Sequence, residues 1–294
     1  MMKEKMKEST IFISGGSRGI GLAIAKACAA RGANVAIAAK TDAPHPKLPG
    51  TIHSAAAEIE AAGGRCLPIL CDIRDEAAVE AAVARTVETF GGIDAVVNNA
   101  SAISLTGTLQ TDMRRYDLMT GVNSRGSFVV TRACLPHLLK APRPHILTLA
   151  PPLDFAPKWF AGHPAYSLAK YGMSVLTMGW AAEFRGRVAA NCLWPRTAID
   201  TAAVRNVLGG DAMAARCRTD RIVADAAVAV LDKPVDFSGW CLLDDLVLAA
   251  EGVTDFDAYA VTPGAELFID FFVPDSAPEP QNAGGMVGWR PPIL

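Results

Sequence analysis

Residues 11–21 read I-F-I-S-G-G-S-R-G-I-G, an apolar run that breaks into glycines and continues into the helical pattern L-A-I-A-K-A-C-A-A. Such a stretch is a buried strand, a tight turn and the start of a helix. Gly15, Gly19 and Gly21 lack the Cβ atoms that would hold a backbone away from a diphosphate, and a helix starting behind them points unpaired N–H groups at that charge. Glycines alone mark any turn. Placed between a buried strand and an amphipathic helix, they predict a dinucleotide site within a doubly wound α/β fold built on a parallel sheet.

The chain keeps the strand and helix alternation that this fold needs. A helix over 18–30 stops at Gly32, and residues 34–39, N-V-A-I-A-A, read as a buried parallel strand. Where that strand ends, an acidic residue would bind a ribose 2′-OH and a basic one a 2′-phosphate. Lys40 stands there and Arg18 lies in the glycine turn, so two cations favour NADP(H) over NAD(H). Asp42 is the competing acidic signal, but it falls in the proline-rich loop 41–50 and reads better as a loop cap. A helix over 52–62 leads to a third strand over 66–71 containing Pro68, which cannot donate into a central ladder and predicts an edge. Asp72 follows, placed either to meet an adenine amino group or to start the helix over 75–90. The fourth strand, 93–97, ends in Asn98-Asn99-Ala100-Ser101, where side-chain amides can tie neighbouring strands and Ala100 leaves room for a ribose. Asn123 sits inside a helix expected over 114–139; asparagine is a poor helix former, so it faces water or has a partner.

Acid–base chemistry is expected after the fifth strand, 145–149, in Pro164-Ala165-Tyr166-Ser167-Leu168-Ala169-Lys170. Tyr166 and Lys170 are one helical turn apart and share a face. A phenol titrates near pH ~10, and an adjacent ammonium favours its phenolate and lowers that value. Y-x-x-x-K is frequent by chance; behind a nucleotide turn, at this place in a doubly wound pattern, it reads as a tuned acid and base.

The helix over 166–184 is apolar or small almost all round, which asks for burial on two sides and predicts a homodimer or homotetramer. A sixth strand over 188–193, a helix over 222–231 and a last short strand over 240–243 complete the expected domain, residues 9–245. Residues 246–294 are rich in proline and predict a surface tail, partly disordered or wrapping a neighbour. Although 51% of the 294 residues are apolar, no run reaches the ~18 residues of a membrane span. The charged start M-M-K-E-K-M-K-E predicts a cytoplasmic protein. Seven scattered cysteines without C-x-x-C read as reduced, and five histidines in no ligand spacing with a net charge of −2 point to neither metal nor nucleic acid.

S-G-G-S-R-G-I-G, N-N-A-S, Asn123, Y-S-L-A-K and the N-x-x-x-P of Asn191 to Pro195 together resemble the short-chain dehydrogenase/reductase family over residues 10–243. The resemblance implies a Rossmann-type fold and hydride transfer between a nicotinamide and a small-molecule carbonyl or secondary alcohol, apolar or lipid-like in character. It implies Tyr166 as proton donor or acceptor, Lys170 holding the nicotinamide ribose and Asn123 ordering a relay water. NADP(H) would be bound by Gly15, Gly16, Ser17, Arg18, Gly19, Ile20, Gly21, Lys40, Asp72, Asn99 and Lys170. Two positions depart from the family. The serine expected about thirteen residues before the tyrosine is Leu153, with Ala150 and Pro151 nearby, leaving Thr148 or Ser101 as candidate substitutes. Pro195-Arg196 replaces the usual Pro-Gly. The lost serine keeps open a catalytically impaired NADP(H)-binding scaffold or redox sensor, and an NADP-using lyase or isomerase stays compatible with the same residues. Trp159, Phe160, Trp194 and Met213 lie in segments suited to an apolar substrate.

Overall fold

The computed structural model of the chain describes residues 6–44 and 49–290. Residues 45–48 of the proline-rich loop, and Pro291 and Pro292 of the C-terminal run, lie outside them. An eight-stranded sheet in the order β3-β2-β1-β4-β5-β6-β7-β8 forms the centre. Its strands are β1 (Thr10–Ser14), β2 (Asn34–Ala39), β3 (Arg65–Leu70), β4 (Ala95–Asn98), β5 (His145–Thr148), β6 (Ala189–Trp194), β7 (Cys241–Leu243) and β8 (Gly288–Trp289). All pair in parallel except β8, which runs antiparallel to β7. β3 is the edge that Pro68 predicts, opposite Ile37 of β2.

The strands inside the sheet are buried on both faces, so successive residues serve opposite layers. Ile11, Ile13, Val35 and Ile37 pack against α1 (Gly19–Ala29), α2 (Ile52–Ala61) and α9 (Arg221–Leu231). Phe12, Ala36 and Ala38 face the layer of α3 (Glu76–Phe90), α5 (Gly126–Leu138) and α6 (Pro164–Glu183). α4 (Met113–Thr120) runs into α5 through a π-helical turn, Gly121–Arg125, where one unbroken helix is expected. After β6 come the short α7 (Ala202–Val204) and α8 (Gly210–Ala214), and α10 (Asp244–Ala250) follows β7 directly.

Part of residues 246–290 packs on the body of the same chain: Phe272 is fully buried, and Gly288 and Trp289 extend the sheet as β8. Arg196, standing where the family has glycine, explains part of this. Its buried side chain pairs with Asp245, its Nη2 donates to the Pro278 carbonyl at 2.7 Å, and its backbone N–H donates to Asp244 Oδ1 at 2.9 Å. Arg218 completes the cluster at 3.2 Å from Asp245.

Candidate active site

The glycine turn lies at the C-terminal end of β1, with Gly15 (φ +71°) and Gly19 (φ +51°) in the left-handed region. A Cβ on Gly21 would come within 2.4 Å of Asn99 Nδ2 and 2.5 Å of the Gly15 carbonyl, and one on Gly15 within 2.9 Å of Ala100 Cα. These glycines therefore let the turn close onto the end of β4. Gly16 serves the sheet instead, since its Cβ would strike Ile37 at 2.6 Å. Asn99 Nδ2 donates to the carbonyls of Ser14 and Gly15, both at 3.0 Å, tying β1 to β4 as its position suggests. Asn98 goes elsewhere, donating to Thr131 Oγ1 of α5 at 2.9 Å rather than to a neighbouring strand. Ser17 is buried in the turn, and Ile20 packs on the α1 core.

Arg18 Nη2 donates to the Gly50 carbonyl at 3.0 Å, while its buried Nε has no partner among the described residues. Lys40 is exposed at the end of β2, with its ammonium 3.8 Å from Asp72. Asp72 is claimed more closely by Arg74, which sequence reasoning passes over: Nη2 donates at 2.6 Å and Nε to both carboxylate oxygens at 3.1 Å. Chiefly through those bonds the Asp72 carboxyl is held down at about 2. An adenine amino group would have to share an acceptor that is already engaged. The short range of the pair, i to i+2, was the signal available in the sequence.

The π-helical turn aims Asn123 inward, where it is completely buried. Its Oδ1 accepts from Ala102 N–H at 2.7 Å and its Nδ2 donates to the Ala102 carbonyl at 3.1 Å, so it clamps the segment that follows β4. Tyr166 and Lys170 share the inner face of α6, and both are buried. Lys170 Nζ donates to the Leu149 carbonyl at 2.9 Å and lies 5.1 Å from the centre of the Trp194 ring. The expected lowering of the phenol does not occur. Burial, with the Asp270 carboxylate second, pushes Tyr166 well above its ordinary value and keeps it protonated. Burial also lowers Lys170, to about 8, against the opposing pull of Asp270.

Motif reading misses the C-terminal residues that pack on Tyr166, foremost Phe272. Phe272 is surrounded by the rings of Tyr171 (5.4 Å), His163 (5.9 Å), Trp194 (6.0 Å), Tyr166 and Trp159 (both 6.1 Å). Trp159, Phe160 and Trp194 thus join the apolar wall around Tyr166, as does Leu153; Met213 lies outside that cluster. An apolar doublet inside a proline-rich segment was the one available hint.

A family model for short chain dehydrogenases matches residues 9–209. The chain belongs to the short-chain dehydrogenase family. Hydroxysteroid dehydrogenase-like protein 2 of Danio rerio is 57% identical over 275 residues, covering 94% of this chain and 66% of that protein. The Homo sapiens protein of that name is 53% identical over 270 residues, 92% of this chain and 64% of its own length. The chain therefore spans slightly under two thirds of these relatives. A crystal structure of a short chain dehydrogenase from Mycobacterium thermoresistibile matches with a TM-score of 0.88 at 54% identity, covering 93% of this chain and 98% of that one.

Against the short-chain dehydrogenase pattern, Leu153 brings no hydroxyl. Thr148 Oγ1 is fully buried and accepts from Thr177 Oγ1 of α6 at 2.8 Å. Ser101 is exposed. Asn191 ties β6 to the loop before β7, donating to the Phe237 carbonyl at 2.7 Å and accepting from Trp240 N–H at 3.0 Å. Among the described residues no helix is long and apolar enough to cross a membrane.

Proposed function

We propose that the chain is an NADP(H)-dependent oxidoreductase acting on an apolar carbonyl or secondary alcohol, with Tyr166 handling the proton. The observation that carries this reading is a phenol kept protonated beneath an apolar wall, one helical turn from a buried lysine on the same face. The cofactor, when bound, supplies or accepts the hydride. The residues here fit it: the left-handed glycines open the turn before α1, the Arg18 Nε is unsatisfied, and Lys40 is exposed at the end of β2. Arg18 and Lys40 would hold a 2′-phosphate. Lys170, charged below about pH 8, would hold ribose hydroxyls and favour the phenolate left when Tyr166 gives up its proton. Asn123 fixes the segment at Ala102; ordering a relay water would require it to share one of those bonds.

The ring-lined wall supports an apolar substrate, and the steroid-like name of the relatives is compatible with it. We also infer a homo-oligomer. α6 buries one face on the sheet but leaves Leu168 and Val175 more than half exposed, at 57% and 56%, beside exposed Phe128 and Leu118 of α5 and α4. Among the described residues, the C-terminal segment does not cover Leu168 or Val175.

The test is cofactor oxidation over a panel of apolar ketones and aldehydes, with NADPH and NADH in parallel. The proposal expects NADPH-dependent turnover that Tyr166→Phe removes. Tight NADPH binding with no turnover, and turnover created by Leu153→Ser, would replace it with the impaired-scaffold reading.

A further inference from the structure

We propose that Cys192 and Cys241 are a redox-active pair, which a peroxide converts into a disulfide across β6 and β7, with Cys241 reached through a cavity that Leu153 lines. This modification site is separate from the hydride chemistry and does not rest on the reductase reading.

The ladder sets the two thiols side by side. Cys192 of β6 is the registered partner of Cys241 of β7, so both side chains leave the sheet on the same face. Neighbouring strands lie about 4.7–4.9 Å apart, inside the range of about 4.4–6.8 Å that a disulfide spans between Cα atoms. The backbone already meets that requirement. Both residues pack with Ala150 and Met173 in one buried cluster, and the Cys192 thiol donates to Cys241 Sγ. Among the described residues no other two cysteines are registered across the ladders: Cys66 of β3 faces Val35, and on its other side Cys192 faces Thr148. The bond ties the strand that ends in Trp194 to the strand that leads into Asp244 and Asp245.

The two cysteines differ in access. Cys192 lies under α6, beside the hydroxyls of Ser174 and Thr177. Cys241 instead borders a cavity of about 580 Å³, lined also by Leu153, Asp154, Pro274 and Arg290, where the segment after β5 meets the C-terminal segment. The Cys192 thiol, and after it the Leu153 N–H, donate to the Cys241 sulfur and hold it below the ordinary thiol value against the effect of burial. Cys28, sealed in the core, shows the opposite: burial pushes it up to about 12. A thiolate is the form that attacks a peroxide, so Cys241 reacts first and Cys192 resolves it. In the first step the Cys241 sulfur attacks the O–O bond, which breaks as an S–O bond forms, and the leaving hydroxide takes the thiol proton to give water. In the second the Cys192 sulfur attacks that of Cys241, an S–S bond forms, and the S–O bond breaks. The departing hydroxide takes the Cys192 proton as a second water. The two thiols lose two electrons in all, and one peroxide gains them.

Peptide mapping after treatment with hydrogen peroxide tests this on the intact chain. Digested without reductant, the oxidised protein should yield a peptide pair that joins Cys192 to Cys241, two hydrogen masses below the sum of its parts, and dithiothreitol should release it. In Cys192→Ser the same treatment should leave a sulfenic acid on Cys241 that dimedone captures. In Cys241→Ser the Cys192 thiol should stay reduced. Circular dichroism shows whether the variants are folded, and the wild-type map decides the case without them. The proposal is overturned if peroxide leaves both thiols open to alkylation after unfolding, or if Cys241 passes to sulfinic acid with no cross-link. It is equally overturned if dimedone captures Cys192 in folded Cys241→Ser while Cys241 stays reduced in folded Cys192→Ser. None of these outcomes touches the reductase reading, which turnover tests.

Discussion

Trp194 donates its indole N–H to the carbonyl of Phe271 at 2.8 Å, across 77 residues of chain. The bond ties the end of β6 to the segment that roofs Tyr166. The face of α6 that carries Tyr166 and Lys170 is therefore completed by residues outside the matched family span, which ends at residue 209.

Phe272→Ala should destabilise the protein by about 3–5 kcal/mol, the range for removing a fully buried aromatic ring. Chemical denaturation with cofactor absent measures it. A loss below about 1 kcal/mol would mean that the rings around Phe272 close up without it.

Arg196→Gly restores the residue usual in the family, yet it should damage this protein. It strips one of two cations from the buried Asp245 and frees the Pro278 carbonyl. Removing one partner of a buried pair costs about 3–5 kcal/mol, the lower end applying here because Arg218 remains at 3.2 Å. Limited proteolysis should then cut residues 246–290 first. Unchanged stability and protection would contradict the role assigned to this cluster.

What could be read from the sequence was what short spacing encodes. The glycine turn, the edge strand marked by Pro68 and the Tyr166–Lys170 pair all depend on residues within a few positions of one another. The roof could not be read that way. Its contacts, Trp194 to Phe271 and Arg196 to Pro278, cross 77 and 82 residues, and proline-rich composition in isolation looks like surface. Lys170 shows the second limit: spacing placed it on the face of Tyr166, but only packing sends its ammonium to the Leu149 carbonyl. Burial then outweighs charge at the phenol, reversing the shift that the pair alone implies.

NADPH should bind at least about tenfold tighter than NADH, equivalent to ~1.4 kcal/mol. Fluorescence titration of wild type and of Lys40→Ala combined with Arg18→Ala checks this. Equal affinities in wild type, or discrimination that survives the double substitution, would remove the 2′-phosphate site.

Leu168→Glu combined with Val175→Glu should yield a monomer, because it places charge in the exposed apolar stripe of α6. Light scattering at micromolar concentration gives the mass. A monomeric wild type would mean that these side chains stay in water.

The central claim is that the buried phenol of Tyr166 carries the proton. Single-turnover reduction of an apolar ketone by bound NADPH, compared between wild type and Tyr166→Phe, measures this step directly. The account predicts a loss of at least about 10²–10⁴ in the rate of that step, as for removal of a positioned general acid, with NADPH affinity nearly unchanged. A Tyr166→Phe enzyme that reduces the ketone at the wild-type rate would contradict it.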